Sequence, residues 1–387
     1  MTTKLKLLLI ADTYYPKVDG TLKFMEEFVK RSSNDFEISL LVPHLSKEKN
    51  VLLDEKVDHV TFIEPSRWIS LSGYPSMKLS RLNKNRIIKA IKEADVVFIQ
   101  GPAMMSYLSI YYAHKYKRKT FFYIHTISWE LFAKFFPSIL GHLFWRLIRR
   151  ISVKLYNQCD HILVPYHGLK DSLISQGVKT PIGVAKLGVD IDLFSPAKDK
   201  KLAKEKLGIE PHKIVIGYVG RISTEKNTAI LLEAFLKLKH QQQIHLLIVG
   251  DGSEEQKEDF AGTQNCTVTG FVTNVQDYLK AMDIFVMPSL TETTSLATLE
   301  AMSCGLPVIA SRVGYIKDYI TRSYNGLFFP KNSASLLAVK LENLIKDTAL
   351  QHSLGENARK TIVYSFSWDR SINRIKRFLK GDLDEEQ

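Results

Sequence analysis

Two carboxylates, Glu292 and Glu300, stand on either side of a run of hydroxyl and small residues in SLTETTSLATLEAMSCGLPVIAS. An ionised carboxylate accepts hydrogen bonds in a fixed geometry, so such a pair suits the hydroxyls of a sugar or a ribose. It equally fits an acid favoured by a helix dipole, followed by an ordinary helix glutamate. If the helix begins around Thr293 or Thr294, Glu292 lies in the turn before it and Glu300 about two turns along. A second chemical pair, Arg221 and Lys226, occurs in the turn RISTEKN. Two cations there can clamp a diphosphate, the arginine as a fork of donors and the lysine as a point charge, or they can be solvated surface charges. A third turn, TYYPKVDGTLKF, places Gly20 at or just before a helix N-terminus, where backbone without a side chain could approach a phosphate or could simply turn.

The elements that must hold these residues repeat twice. LKLLLIAD, FEISLLVP, ADVVFIQG, KTFFYIHT and CDHILVP are short apolar runs separated by helical patterns, and KIVIGYVGR begins a second series through IHLLIVGDG, CTVTGF, AMDIFVMPS and LPVIASRV. Alternation of this kind predicts α/β architecture with two doubly wound parallel sheets. Ligands of such sheets bind beyond the carboxyl ends of the strands, where all three turns fall. The segment GVDIDLFSPAKDKKLAKEKLGIEPH (188–212) has two prolines, a run of charges and no strand pattern, so the expected domains are 1–195 and 196–365. A last helix, about 366–380, is expected to pack back on the first domain. Asp190 and Asp192 spell a metal-binding D-x-D pattern, as do Asp382 and Asp384; one lies in the hinge and the other in the polar tail, and both are read as accidental.

Taken together these segments resemble glycosyltransferase family 4. Glu292 through Glu300 is similar to the E-x7-E motif of that family, and EAMSCGLPVIAS, VGRISTEKN, VGDG (249–252), NGLFF (325–329) and FSW (366–368) occur in its order. The resemblance spans essentially the whole chain. It implies the GT-B fold, two Rossmann-like domains facing across a cleft that holds the active site. It also implies that Glu300 binds the donor ribose and Glu292 the transferred sugar. Arg221 and Lys226 would hold the diphosphate, with the Gly20 turn closing over it from the other domain, and His125 in FFYIHT would stand beside the sugar's outer hydroxyls. The backbone amides of Thr293, Thr294, Ser295 and Leu296 are expected to contact the sugar, although many relatives carry Gly, Phe or Pro, and Gly after the first glutamate. The family is retaining, and no second carboxylate pair suggests double displacement. The expected reaction is front-face hexose transfer from a nucleoside diphosphate sugar, with UDP-glucose as the expected donor, no metal, and positive charge stabilising the departing group.

Composition narrows the partners. With 45% hydrophobic and 24% charged residues in 387, the chain reads as globular and long enough for two cores. Cys159, Cys266 and Cys304 lack zinc-type spacing and read as reduced packing residues. No apolar run suggests a signal peptide or a spanning helix, which predicts a cytoplasmic protein. Residues 1–190 hold 28 Lys and Arg against 17 Asp and Glu, so almost all of the net +12 belongs to the first half. That asymmetry predicts an anionic partner for the N-terminal domain.

The segment WELFAKFFPSILGHLFWRLIRRISVKL (129–155) combines an apolar stripe at helical spacing with Arg146, Arg149, Arg150 and Lys154 and with Trp129 and Trp145. It reads either as a core helix with solvated charges or as a helix lying on an anionic bilayer. The second reading predicts peripheral docking on the inner face of the membrane and a lipid acceptor such as diacylglycerol; a soluble sugar or polysaccharide acceptor is the alternative. A nucleic-acid-binding protein is a reading from another class, prompted by the basic character. It lacks every usual motif, and no nucleic acid partner is expected. A nucleotide-sugar epimerase of the same shape is a further alternative, separable because it needs no acceptor.

Overall fold

The computed structural model describes residues 4–16, 20–45, 53, 56–71, 74–125, 127 and 139–382. The chain divides into two compact units, Met1–Lys186 with Asp369–Gln387, and Leu187–Trp368.

The first unit is built on strands β1 (Leu5–Ile10), β2 (Phe36–Pro43), β3 (His59–Ile63), β6 (Val96–Gly101), β7 (Lys119–Ile124), β8 (His161–Val164) and β9 (Ile182–Val184), with a small hairpin of β4 (Pro65–Leu71) and β5 (Tyr74–Met77). The seven-stranded sheet has the order β3-β2-β1-β6-β7-β8-β9, and its neighbours are parallel. Its helices are α1 (Gly20–Ser32), α2 (Arg81–Glu93), α3 (Met104–Lys115), α4 (Ile139–Tyr156) and α5 (His167–Ser175). Parallel strands covered on both faces must be apolar throughout, which is why Leu7–Ile10 and Val97–Ile99 are buried without alternation. Phe24 and Phe28, one turn apart on α1, stack on each other and meet Phe98 and Tyr123.

The second unit contains β10 (Ile214–Val219), β11 (Ile244–Val249), β12 (Cys266–Val268), β13 (Ile284–Met287), β14 (Val308–Ser311) and β15 (Leu327–Phe329). They form a parallel sheet in the order β12-β11-β10-β13-β14-β15. Around it lie α6 (Lys200–Glu205), α7 (Thr228–Leu236), α8 (Glu254–Glu258), α9 (Val275–Ala281), α10 (Leu296–Ser303), α11 (Ile316–Tyr319), α12 (Ala334–Lys346) and α13 (Thr348–Ser365). The strand order reverses direction between β1 and β6 in the first sheet and between β10 and β13 in the second. These switch points open the crevices in which doubly wound sheets bind ligands.

The last helix, α14 (Trp368–Lys380), belongs to the first unit in all but its opening residue. Asp369 pairs with Arg31 at 2.6 Å, Lys376 and Lys380 reach Asp35 at 2.9 and 2.7 Å, and Arg374 Nε donates to the Val184 carbonyl at 2.7 Å. Ile372, Ile375 and Leu379 are fully buried beneath these polar ties.

The change of unit comes at 186/187, earlier than the boundary after residue 195 expected from composition. The reason is Arg359 on α13. One guanidinium nitrogen donates to the carbonyls of Phe194 and Ser303 at 2.9 and 2.8 Å, and the other to Ile191 at 2.9 Å. Asp283 meanwhile holds Lys204 at 2.7 Å and Lys200 at 3.3 Å, binding α6 to the same unit. The D-x-D at 190–192 is part of this arrangement, because Asp190 accepts from the backbone N–H of Asp192 and Leu193 and so caps a turn; Asp384 lies outside the described residues.

Removing the guanidinium would strand several half-buried carbonyls. Arg359→Ala is expected to destabilise the second unit by about 2–4 kcal/mol in urea unfolding, with Arg359→Lys recovering only part because an ammonium lacks the fork. An unchanged midpoint for the alanine variant would contradict this role.

Candidate active site

The four charged residues singled out in the second half follow the strands that flank its switch point. Arg221 and Lys226 come after β10 and Glu292 after β13, while Glu300 lies one turn into α10. Lys226 Nζ stands 2.6 Å from Glu292 Oε1, which also accepts from Ser289 Oγ at 2.7 Å. The Glu292 side chain is 7% exposed and that of Lys226 21%. A carboxylate so enclosed needs hydrogen-bonding partners, and the lysine and serine supply them.

The two turns are stitched together through their backbones. Leu290 N–H donates to the Glu225 carbonyl at 2.9 Å, Thr291 Oγ1 to Glu225 Oε1 at 2.7 Å, and Asn227 Nδ2 to the carbonyls of Pro288 and Lys331 at 3.3 and 2.8 Å. Tyr218, buried on β10, donates its hydroxyl to the Arg221 carbonyl at 2.7 Å, leaving the arginine side chain exposed. Burial above all, then the Glu292 carboxylate, pushes that phenol far up, while Arg221 acts in the opposite sense. Arg221 and Glu292 are therefore both close enough to act electrostatically on one hydroxyl. Glu300 is half-buried, and its charge reaches Cys304, whose thiol is pushed up to about 12 mainly by burial.

Helix α10 starts later than the spacing suggested, at Leu296 and not at Thr293 or Thr294. Tyr315 N–H donates to the Thr293 carbonyl at 2.8 Å and Tyr319 Oη to the Thr294 carbonyl at 2.9 Å, so these carbonyls are committed to α11 and its approach. Ser295 takes the left-handed conformation with φ +58°, and its hydroxyl meets Thr298 Oγ1 at 2.8 Å without capping the helix. Gly314 presses against this turn, since a Cβ there would lie 1.8 Å from the Glu292 carbonyl oxygen.

Two further predicted residues belong to the first unit. Gly20 opens α1, and His125 follows β7 with its ring between Phe24, at 5.6 Å and edge-on, and Tyr123, at 4.6 Å. Sequence reading missed two polar neighbours near that unit's switch point. Gln100 Oε1 lies 3.1 Å from His125 Nε2. Asp12, just past β1, has its carboxyl raised to about 6 by burial, opposed by hydrogen bonds from Ser106 Oγ and from the backbone of Met105 and Ser106. Neither carries a motif; their position beyond β1 and at the end of β6 is the signal that could have flagged them.

A model described as glycosyl transferases group 1 matches residues 199–361, and one described as Glycosyltransferase Family 4 matches residues 24–193. Together the two matches support a glycosyltransferase similar to family 4. It is 23% identical to an uncharacterised glycosyltransferase of Methanocaldococcus jannaschii, over 97% of this chain and 98% of that protein. Identity is also 23% to an alpha-monoglucosyldiacylglycerol synthase of Streptococcus pneumoniae, over 97% of this chain and 85% of the synthase. The crystal structure of HepE from Anabaena in complex with UDP and glucose has a TM-score of 0.78 at 17% identity, covering 97% of this chain and 100% of that one. Likeness at that identity establishes the fold, which is GT-B with two Rossmann-like units.

This glycosyltransferase carries its proposed membrane residues on α4 in two groups. Arg146, Arg150 and Lys154 are exposed, as are Leu147 at 52% and Ile151 at 47%. Arg149 and Trp145 are engaged within the fold instead. The Arg149 guanidinium stacks 5.0 Å over the Trp145 ring and donates to Gln176 Oε1 at 2.7 Å, tying α4 to the end of α5. Ser152 and Tyr156 turn inward toward Tyr107. Trp129 lies outside the described residues. Among the described residues no helix is long and apolar enough to cross a membrane.

The turn after Glu292 yields a paired expectation. Ser295→Gly relieves a left-handed non-glycine residue and is expected to stabilise the enzyme by about 1 kcal/mol, read as a higher Tm. Gly314→Ala pushes a methyl group into the Glu292 backbone and is expected to destabilise it and lower transferase activity. A lower Tm for Ser295→Gly, or a wild-type Gly314→Ala, would show that this turn is not held as described.

Proposed function

We propose that the enzyme transfers glucose from UDP-glucose, with retention of anomeric configuration and without a metal ion, to a lipid acceptor such as diacylglycerol on an anionic membrane surface. The observation that carries the donor half is the enclosed Glu292 carboxylate holding Lys226 at 2.6 Å beside the exposed Arg221, at the switch point of the second sheet. Both cations stand where a diphosphate would neutralise them, and a carboxylate in the same place can accept from sugar hydroxyls. HepE was crystallised with UDP and glucose, which favours the same donor here.

In this reading an arriving diphosphate competes for the Lys226 ammonium and releases Glu292 to the sugar. Glu300 takes the ribose, and the amides of Thr293, Thr294, Ser295 and Leu296 line the hexose; for His125 the resemblance implies a place beside the sugar's outer hydroxyls. As the glycosidic bond to the donor breaks, negative charge grows on the departing diphosphate. Arg221 and Lys226 stabilise it while a phosphate oxygen takes the acceptor's proton on the same face of the sugar. The protein would do by fixed charge what a bound cation does elsewhere.

The acceptor half rests on α4. Three exposed cations beside exposed Leu147 and Ile151 form a mixed basic and apolar face of the kind that binds anionic lipid. The relation to an alpha-monoglucosyldiacylglycerol synthase points the same way. A cytoplasmic position at the inner membrane face follows from this reading.

Thermal shifts with a panel of UDP- and GDP-sugars test the donor. UDP-glucose at a hundred times its Kd should stabilise by about 2.7 kcal/mol, undiminished by EDTA, and Lys226→Met should abolish the shift. A shift with GDP-sugars alone, or a requirement for divalent cation, would overturn the donor or the mechanism. For the acceptor, sedimentation with phosphatidylglycerol vesicles should show binding that falls at least tenfold when Arg146, Arg150 and Lys154 are all changed to Gln, each contributing about 1 kcal/mol near an anionic surface. Indifference to vesicles would favour a soluble sugar or polysaccharide acceptor.

A further inference from the structure

A buried glutamine in the first unit is unusual in its surroundings. Gln100, next to last in β6, has 0% exposure, and neighbouring Phe24, Phe98 and Tyr123 are likewise fully buried. Its backbone carbonyl accepts from Ser106 Oγ at 2.9 Å, an approach that a side chain on Gly101 would block, since a Cβ there would lie 2.5 Å from that oxygen. Its side-chain Oε1 faces His125 Nε2 at 3.1 Å, while its Nε2 is buried with no hydrogen-bond partner among the described residues. An orphaned amide donor is destabilising, and a leucine of similar size would spare the fold that loss. Folding alone therefore does not account for glutamine at this position.

We infer that Gln100 is a positioning residue for His125, its side-chain carbonyl accepting the Nε2 proton so that the ring is held in one tautomer and in one plane. Tyr123 and Phe24 already restrict the ring, and the His125 backbone N–H is anchored to the Gly101 carbonyl at 3.1 Å. The amide adds what packing cannot, the choice of which nitrogen carries hydrogen. With Nε2 protonated, Nδ1 is the accepting nitrogen, which suits a hydroxyl donor and disfavours a ligand offering only acceptors. The relevance to transfer rests on the role proposed for His125; the tautomer itself does not.

The test uses the full chain labelled with ¹⁵N-histidine, with His125 signals assigned through His125→Ala. Long-range ¹H–¹⁵N spectra near neutral pH should show the Nε2–H tautomer in the wild type and a mixture in Gln100→Leu. An Nδ1–H ring in the wild type, or no change in the variant, overturns the inference. In transfer assays Gln100→Leu should keep or raise the Tm while losing about tenfold in kcat/KM. Gln100→Glu should move the acid limb of the pH profile upward by about a unit, because a carboxylate at Nε2 favours the imidazolium, which cannot accept. If His125→Ala loses activity and both Gln100 variants behave as wild type, Gln100 is not a positioning residue. Should His125→Ala transfer at the wild-type rate while the tautomer remains fixed, the role of His125 in transfer fails and the Gln100 assignment stands.

Discussion

A carboxylate that is nearly enclosed must be neutralised where it stands, and the contact between Glu292 and Lys226 meets that requirement in the second unit. Much of the local architecture follows from it. The lysine turn after β10 and the glutamate turn after β13 have to keep register within a fraction of an ångström, which explains why Glu225, Asn227, Leu290 and Thr291 exchange hydrogen bonds across the switch point. Gly314 backs the glutamate from the far side, and Tyr315 and Tyr319 claim the next two carbonyls. The result is a preorganised charge pair at the switch point of the second sheet.

In the first unit the comparable constraint is aromatic packing and not charge. Phe24 bridges the helix and the sheet, contacting Phe28, Phe98, Tyr123 and His125. A histidine placed within such a cluster has its ring plane restricted by its neighbours, and the adjacent Gln100 amide bears on its proton. The surface of the same unit shows the opposite economy on α4, where one arginine is tied down and three cations remain with solvent.

Motif and period made the fold class legible before any coordinates, because parallel strands covered on both faces leave uninterrupted apolar runs in the chain. Three short marginal strands and a hairpin were harder to see. β3, β9 and β15 are short and lie toward the sheet margins, and the β4–β5 hairpin has no clear alternation. The start of α10 was misjudged because helix propensity gives no warning that Thr293 and Thr294 carbonyls are bonded elsewhere. The division between units was misjudged for a similar reason, as Arg359 lies far along the chain from the carbonyls it holds.

Residue types and their order pointed to a glycosyltransferase similar to family 4 with two parallel sheets, and singled out Arg221, Lys226, Glu292 and Glu300 as candidates, because local spacing and apolar periodicity are written in consecutive residues. What the chain order could not contain is which charges meet. The pairing of Lys226 with Glu292, the capture of Arg149 by Gln176, and the burial of Gln100 against His125 each join residues far apart in sequence. Such contacts exist only once sheet order and helix packing have brought the strand ends together, so tertiary structure alone decided them.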